Sequence, residues 1–369
     1  RVCGICPVAY QMSACAAMED ALGVRVDERV WRLRRLLYCG EWIQSHALHV
    51  YLLHAPDFLG CPDAVALAER DRASVERGLA LKRTGNLIME TVGGRAIHPV
   101  NVRLGGFYRA PDRAAVDALA EPLRRARDDA LATLTWVAGF DFPEVESDYL
   151  LLALRHPDRY PIEEGRPATS EGEELNAAGL AERIVEEHVA RSTALQARLD
   201  GRRPYLTGPL ARYALNRGIL PPLAAEAATA AGLGERCTNP FRSIEVRAVE
   251  LVAACEEALG LVEAYEPPDP PAAAVEPRAA VGTGATEAPR GLLLQQYELD
   301  DEGTILRARI VPPTAQNQLT IEADIGRAAQ GALELSDDDL RQRCEQAVRN
   351  HDPCISCSAH FLDVHVEGR

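Results

Sequence analysis

The sequence predicts a mainly α-helical protein with small β elements (α+β), in which a central bundle of long helices receives both chain ends at a buried metal site. Three observations predict this. Apolar residues recur every three or four positions over several long stretches, the period of one helix face. Residues 292–311 alternate like strands instead. A CxxC pair stands near each end of the chain, Cys3 with Cys6 and Cys354 with Cys357.

The elements follow in order. Over residues 28–54, Val30, Leu33, Leu37, Gly40, Ile43, Ala47 and Val50 keep the helical period and predict a helix of about 40 Å at about 1.5 Å per residue. Further helices are predicted over residues 63–89, 112–137, 177–199 and 241–265, all rich in Ala, Leu, Glu and Arg. Residues 267–277 are proline-rich without a periodic apolar face and read as an irregular connection. Residues 292–299 and 304–311, joined by Asp300, Asp301, Glu302 and Gly303, predict a β-hairpin. Two helices are expected after it, over 321–333 and 336–350. No internal repeat is present, and residues 1–369 are read as one domain.

Composition narrows the class. At 369 residues and 47% hydrophobic, the chain can bury roughly three quarters of its unfolded surface. A net charge of −15 repels a phosphate backbone, so nucleic acid is not an expected partner. No apolar run has the length of a membrane span and no signal segment opens the chain, so a soluble, cytoplasmic protein is expected. Ten cysteines are too few for a disulfide scaffold of this length, and in a reducing compartment CxxC pairs bind metals or carry redox chemistry. A zinc ribbon sets its two pairs about 15–20 residues apart, whereas here almost the whole chain lies between them. Closing so long a loop is entropically costly for a mere staple. A catalytic metal deep in the protein accounts for it better, although four thiolates also suit structural zinc.

Five motifs stand in order along the chain: RVCGICPVAYQMSA at 1–14, GRAIHPVNVRLGGF at 94–107, TEAPRG at 286–291, VPPTAQN at 311–317 and DPCISCSAH at 352–360. Together they resemble the motifs of the nickel-iron hydrogenase large subunit, and the resemblance spans the chain. The wording PVAYQMSA and PPTAQNQ is most similar to the soluble, multi-subunit, NADP-linked (sulfhydrogenase-like) branch. The resemblance implies that family's fold and reversible heterolytic cleavage of H2. It makes Cys3 and Cys354 terminal nickel ligands. Cys6 and Cys357 would bridge nickel to an iron carrying two cyanides and one carbon monoxide. Thiolates suit this chemistry, being soft ligands with lone pairs left for a second metal. Splitting H2 heterolytically requires a base for the proton, and Cys354 is the first choice.

Around the metals the resemblance places Asp57, Pro289, Arg290 and Asp352. Carboxylates would fix the Arg290 guanidinium in a planar geometry that lysine cannot reproduce. Because a guanidinium stays charged, Arg290 is read as an electrostatic and cyanide-binding group rather than a base. Thr314, beside Pro313, would donate a hydrogen bond to the other cyanide. His360 and the backbone oxygen of Gln318 would help hold Mg2+. Relatives often have histidine at position 10; here Tyr10 has a hydroxyl able to serve the bridging sulfur. The chain opens at Arg1 directly on its first motif, so a further N-terminal segment, with a proton-exit glutamate and a cation-site carboxylate, is expected. The resemblance also implies nickel-insertion proteins and a maturation protease that removes residues 361–369.

Blander readings stand beside these. Cys15, Cys39, Cys61, Cys237, Cys255 and Cys344 lack paired spacing and read as packing residues. His46, His49 and His54 fit no HExxH pattern and read as core or interface histidines. Asp57 and Asp352 could be helix-end carboxylates, Arg290 a loop residue, and Gly105 and Gly106 turn glycines. With no cysteine cluster left for an iron-sulfur centre, electrons must leave through a partner. The expected partners are an iron-sulfur small subunit with flavin- and NADP-binding diaphorase subunits. A non-catalytic hydrogen sensor or electron-transfer-complex subunit is the alternative of a different class.

Overall fold

The computed structural model describes residues 4–354. Cys3, Cys357, His360 and the tail 361–369 lie outside the described residues.

The chain begins with α1 (Pro7–Leu22). Pro7 stands at the first helical position, where its missing N–H costs nothing. Gly23, at φ 68°, ends the helix in the left-handed conformation. Asp27 caps α2 (Glu28–Leu48), which continues as a π-helical turn, His49–His54. The predicted helix over 28–54 is therefore present, with its last turn widened. The short α3 (Ala55–Phe58) follows.

The two helices predicted next are each divided. Residues 63–89 form α4 (Ala64–Arg70) and α5 (Arg72–Gly93). Asp71 interrupts them, because its carboxylate turns back to accept the Ser74 N–H at 3.1 Å and caps the second. A small hairpin, β1 (Val102–Arg103) with β2 (Gly106–Phe107), precedes α6 (Arg113–Asp117) and α7 (Ala120–Val137).

The helix expected over 177–199 is a correction. The hairpin β3 (Leu152–Arg155) and β4 (Arg166–Thr169) leads into α8 (Ala177–Arg183), which stops at residue 183. The chain then turns into an antiparallel pair, β5 (Ile184–His188) and β6 (Leu195–Leu199). Ile184, Ala197 and Leu199 join a second core with Leu152, Leu154 and Leu292, so burial against neighbouring strands outweighs local helix preference. Next come α9 (Pro209–Asn216), α10 (Pro222–Ala230) and α11 (Ser243–Glu263).

The predicted hairpin is the outer part of a three-stranded antiparallel sheet, β7 (Ala280–Ala288), β8 (Gly291–Leu299) and β9 (Ile305–Val311). Its first strand was not foreseen. Residues there are small because α1 packs on them: a Cβ on Gly282 would lie 2.1 Å from the Ala17 carbonyl oxygen. α12 (Pro313–Gln330) and α13 (Asp337–Arg349) complete the described chain.

The main core is α2 packed on α5 and α11, with α7 against α11 and α1 against the three-stranded sheet. The connection 267–277 is irregular but ordered against β2, where Phe107 donates to the Pro271 carbonyl at 3.0 Å. No helix among the described residues is long and apolar enough to cross a membrane.

Candidate metal centre

Cys6 directly precedes α1 and is buried. Two side chains of α2 hold it there. Glu41 accepts the Val8 and Ala9 N–H groups at 2.6 and 3.0 Å, supplying negative charge to a helix N-terminus that has none of its own. Gln44 donates to the Ile5 carbonyl at 2.8 Å.

Arg290 sits with Pro289 in the two-residue turn between β7 and β8 and is 1% exposed. Its Nη1 lies 3.9 Å from Cys6 Sγ and its Nη2 3.2 Å from Asp352 Oδ1. One guanidinium thus joins a cysteine at the start of the chain to the carboxylate two residues before Cys354. Asp352 has φ 47°, in the left-handed region that aspartate tolerates better than most residues, and so bends the chain at this point. Cys354 donates its N–H to Thr314 Oγ1 at 3.0 Å, which leaves the hydroxyl proton of Thr314 available for another acceptor. Pro313 starts α12 beside it, and Gln318 lies one turn further on, its side chain toward Glu322.

Asp57 engages a residue that the sequence reading had not singled out. Its carboxylate takes Nε and Nη2 of Arg349 at 2.7 and 2.6 Å, a bidentate pair anchoring the end of α13. The π-turn then secures the next residues. His49 Nε2 lies 2.8 Å from the Arg349 carbonyl oxygen, and His54 Nε2 lies 2.9 Å from Asn350 Oδ1. Five residues apart in an α-helix, two side chains diverge by about 140°. The wider turn brings these rings to 5.0 Å instead. Burial pushes the pKa of both well below its usual value, helped at each by the nearby charge of Arg247, so both are neutral. His46 meets Glu250 at 3.0 Å and is likewise lowered by burial. All three are core histidines: His49 and His54 fasten the C-terminal segment, and His46 pairs with Glu250 on α11.

Arg247 sharpens the electrostatics. It is buried, and Nη1 donates to Ser243 Oγ at 2.9 Å and to the Asn350 carbonyl at 3.1 Å, both neutral. Desolvation lowers its pKa to about 10, against Asp352 and Glu250, so it remains charged at neutral pH. Its Nε has no hydrogen-bond partner among the described residues. A buried cation beside a cysteine thiol, as Arg290 is beside Cys6, suits an anionic metal-thiolate group, because each charge lowers the cost of burying the other. Among the described residues, the Cys6 and Cys354 thiols beside buried charge therefore fit nickel and iron held by thiolates.

The six other cysteines are buried and free, as expected of packing residues. Desolvation pushes the Cys15 and Cys237 thiols up to about 11 and raises Cys39, Cys255 and Cys344 as well. Tyr10 is buried on α1. The motif at 94–107 packs on α1, with Gln11 donating to the Pro99 carbonyl and Gly105 donating to Glu19. Gly105, at φ 78°, is a turn glycine.

Known proteins resemble this chain. The alpha subunit of sulfhydrogenase 1 from Pyrococcus furiosus is 33% identical to the chain over 366 residues, which cover 98% of this chain and 85% of that protein. The chain belongs to the nickel-dependent hydrogenase family. The family profile described as nickel-dependent hydrogenase matches residues 1–86, which carry Cys3 and Cys6. The alpha subunit of sulfhydrogenase 2 from the same organism is 33% identical over 383 residues, covering 98% of this chain and 86% of that one. An NAD+-reducing [NiFe]-hydrogenase in its H2-reduced state has the same fold, with a TM-score of 0.85 at 24% identity over 97% of this chain and 86% of that one. As a hydrogenase large subunit, the chain is an oxidoreductase acting on H2, and nickel is its family's metal.

Sequence reasoning missed Arg349, Arg247, Glu41 and the Arg212 to Glu250 pair beneath the β7–β8 turn. One signal was present: charges inside apolar helical runs, such as Glu41 in LLYCGEWI and Glu250 in VRAVELVAAC. A charge at such a position is buried only when paired.

Proposed function

We propose that this hydrogenase subunit binds nickel through the terminal thiolates of Cys3 and Cys354, with Cys6 and Cys357 bridging to an iron that carries two cyanides and one carbon monoxide. When bound, that centre polarises H2 for heterolytic cleavage. The observation that carries the reading is Arg290, whose guanidinium spans Cys6 and Asp352.

The chain's own groups then have distinct tasks. The Asp352 carboxylate favours the cationic form of Arg290 against the cost of its burial, so it orients and stabilises negative charge and is unsuited to take a proton. The Cys354 sulfur accepts the proton as the bond polarises. Thr314 holds the Cys354 backbone and has a proton left for a cyanide nitrogen, while Pro289 and Pro313 stiffen the two approaches to the site. Asp57 acts through Arg349, keeping the end of α13 in place. His360 and the Gln318 backbone oxygen are assigned to Mg2+.

We further place this subunit in a cytoplasmic assembly with an iron-sulfur small subunit plus flavin- and NADP-binding diaphorase subunits. Its wording PVAYQMSA and PPTAQNQ supports that branch. Maturation by nickel-insertion proteins and a protease removing 361–369 belongs to the same reading. Metal analysis and hydrogen-dependent dye reduction on the reconstituted complex test it. Nickel and iron with turnover are expected; zinc alone, or a loaded but inert complex, would overturn it in favour of a structural site or a sensor.

A further inference from the structure

We infer that Arg212 is a positioning residue for Arg290, and that the segment 207–212 fixes Arg290 and Thr314 relative to each other. The inference rests on the proposed reading that both residues face the metal centre.

Arg212 lies on α9, fully buried, with its guanidinium 4.5 Å from the centre of the Trp42 ring. All five of its N–H groups are used: Nε and Nη2 reach the two Glu250 oxygens at 2.7 Å each, and Nη1 reaches Glu287 at 3.0 Å. The remaining two donate to the main-chain carbonyls of Ala288 and Pro289, both at 2.9 Å. Trp42 Nε1 takes the preceding carbonyl, that of Glu287, at 3.2 Å. Three consecutive carbonyls leading into Arg290 are therefore held from one side. A buried ion pair alone would need only the carboxylates; the two carbonyl bonds have the β7–β8 turn as their object.

The same segment grips the far side of that turn. Gly208 has φ 110°, and a Cβ there would stand 2.8 Å from the Arg290 carbonyl oxygen. A Cβ on Gly291 would stand 2.3 Å from Thr207 Oγ1. Thr207 also pairs with Asn317 in both directions, its N–H to Oδ1 at 2.8 Å and its carbonyl from Nδ2 at 3.1 Å. Asn317 is on α12, three residues beyond Thr314. One segment thus ties the residue contacting Cys6 to the residue contacting Cys354. Lysine cannot substitute for Arg212, because a point charge cannot serve two carboxylates and two carbonyls in one plane.

The test compares Arg212→Lys, Asn317→Asp and Arg290→Lys in the assembled enzyme, reading the infrared bands of the iron-bound diatomics, kcat per nickel and the KM for H2. Arg212→Lys should shift the same bands as Arg290→Lys. It should lower kcat per nickel by roughly tenfold to a hundredfold while KM holds within about twofold, the pattern of lost alignment rather than lost binding. A crystal structure of the variant should show the Arg290 to Asp352 contact displaced. A merely structural role would lower the yield of loaded protein and leave these readouts unchanged. If Arg212→Lys fails to fold, Asn317→Asp, which replaces the Nδ2 donor to the Thr207 carbonyl with a carboxylate oxygen, should still move the bands in the same sense. Wild-type bands and kcat in the Arg212 or Asn317 variants, with Arg290→Lys shifted, overturn the clamp and leave the Arg290 reading intact. A silent Arg290→Lys overturns both.

Discussion

Arg35, Arg212, Arg247, Arg290 and Arg349 are among the largest fully buried side chains, and the chemistry of this protein is organised by what each of them meets. Removing one partner of such a pair strands a charge in a low dielectric, at a cost of about 3–5 kcal/mol. Arg349 keeps Glu345 at 3.3 Å, so Asp57→Asn should lower stability by less, about 1.5–3 kcal/mol, measurable as a drop in Tm, and should raise protease sensitivity near the end of α13. An unchanged Tm would mean the pair is dispensable.

A second residue-scale expectation concerns pH. Burial raises Glu287 from 4.5 to about 7, against Arg212 and the Leu154 N–H, with Glu250 adding to the rise. A carboxyl raised on folding contributes stability that is full below 4.5 and lost as pH climbs through about 7. Glu250 works in the opposite sense: desolvation is overcome by Arg212 and His46, which hold it at about 2, so its contribution is lost in acid. In denaturation series across pH, Glu287→Gln should flatten the decline between 4.5 and about 7, and parallel profiles would refute the assignment. Cys6, Arg290, Asp352 and Cys354 were legible in the motifs. Arg212 was not, because a buried arginine in an ordinary helix acquires its role only from the strands folded over it.

At the scale of elements, α1 depends on a cap it does not carry. Glu41→Gln should cost about 1 kcal/mol at the helix start. Hydrogen exchange should quicken at Val8 and Ala9 and stay unchanged at Phe107, whose N–H is held by Pro271. Equal exchange at Val8 would remove Glu41 from the account of how Cys6 is held. Long periodic stretches such as 28–54 and 241–265 were readable because one face repeats in sequence. The stretch 177–199 was not: its Ala, Glu and Arg content suits a helix, and only pairing with Leu152, Leu154 and Leu292 makes strands of its second half. β7 was hidden for a related reason, since glycines chosen for contact with α1 resemble a loop.

At the scale of the whole molecule, the proposed ligand set, drawn from both ends of the chain, would make metal binding and folding one equilibrium. A ligand at a hundred times its Kd adds about 2.7 kcal/mol to the folded state. The nickel- and iron-loaded chain should therefore melt several degrees above the metal-free chain, and equal midpoints would argue against ligands drawn from both ends. The sequence by itself determined the family, the cysteine pairs, the long helices and the residues of the β7–β8 turn, because each is a local pattern or a contiguous motif. Only the tertiary structure decided that Arg290 spans Cys6 and Asp352, that Asp57 meets Arg349, that histidines fasten the chain end, and that Arg212 holds the turn from beneath. Those contacts join residues far apart in the chain, and their energies come from burial and charge pairing that exist only once the helices and strands have closed around them.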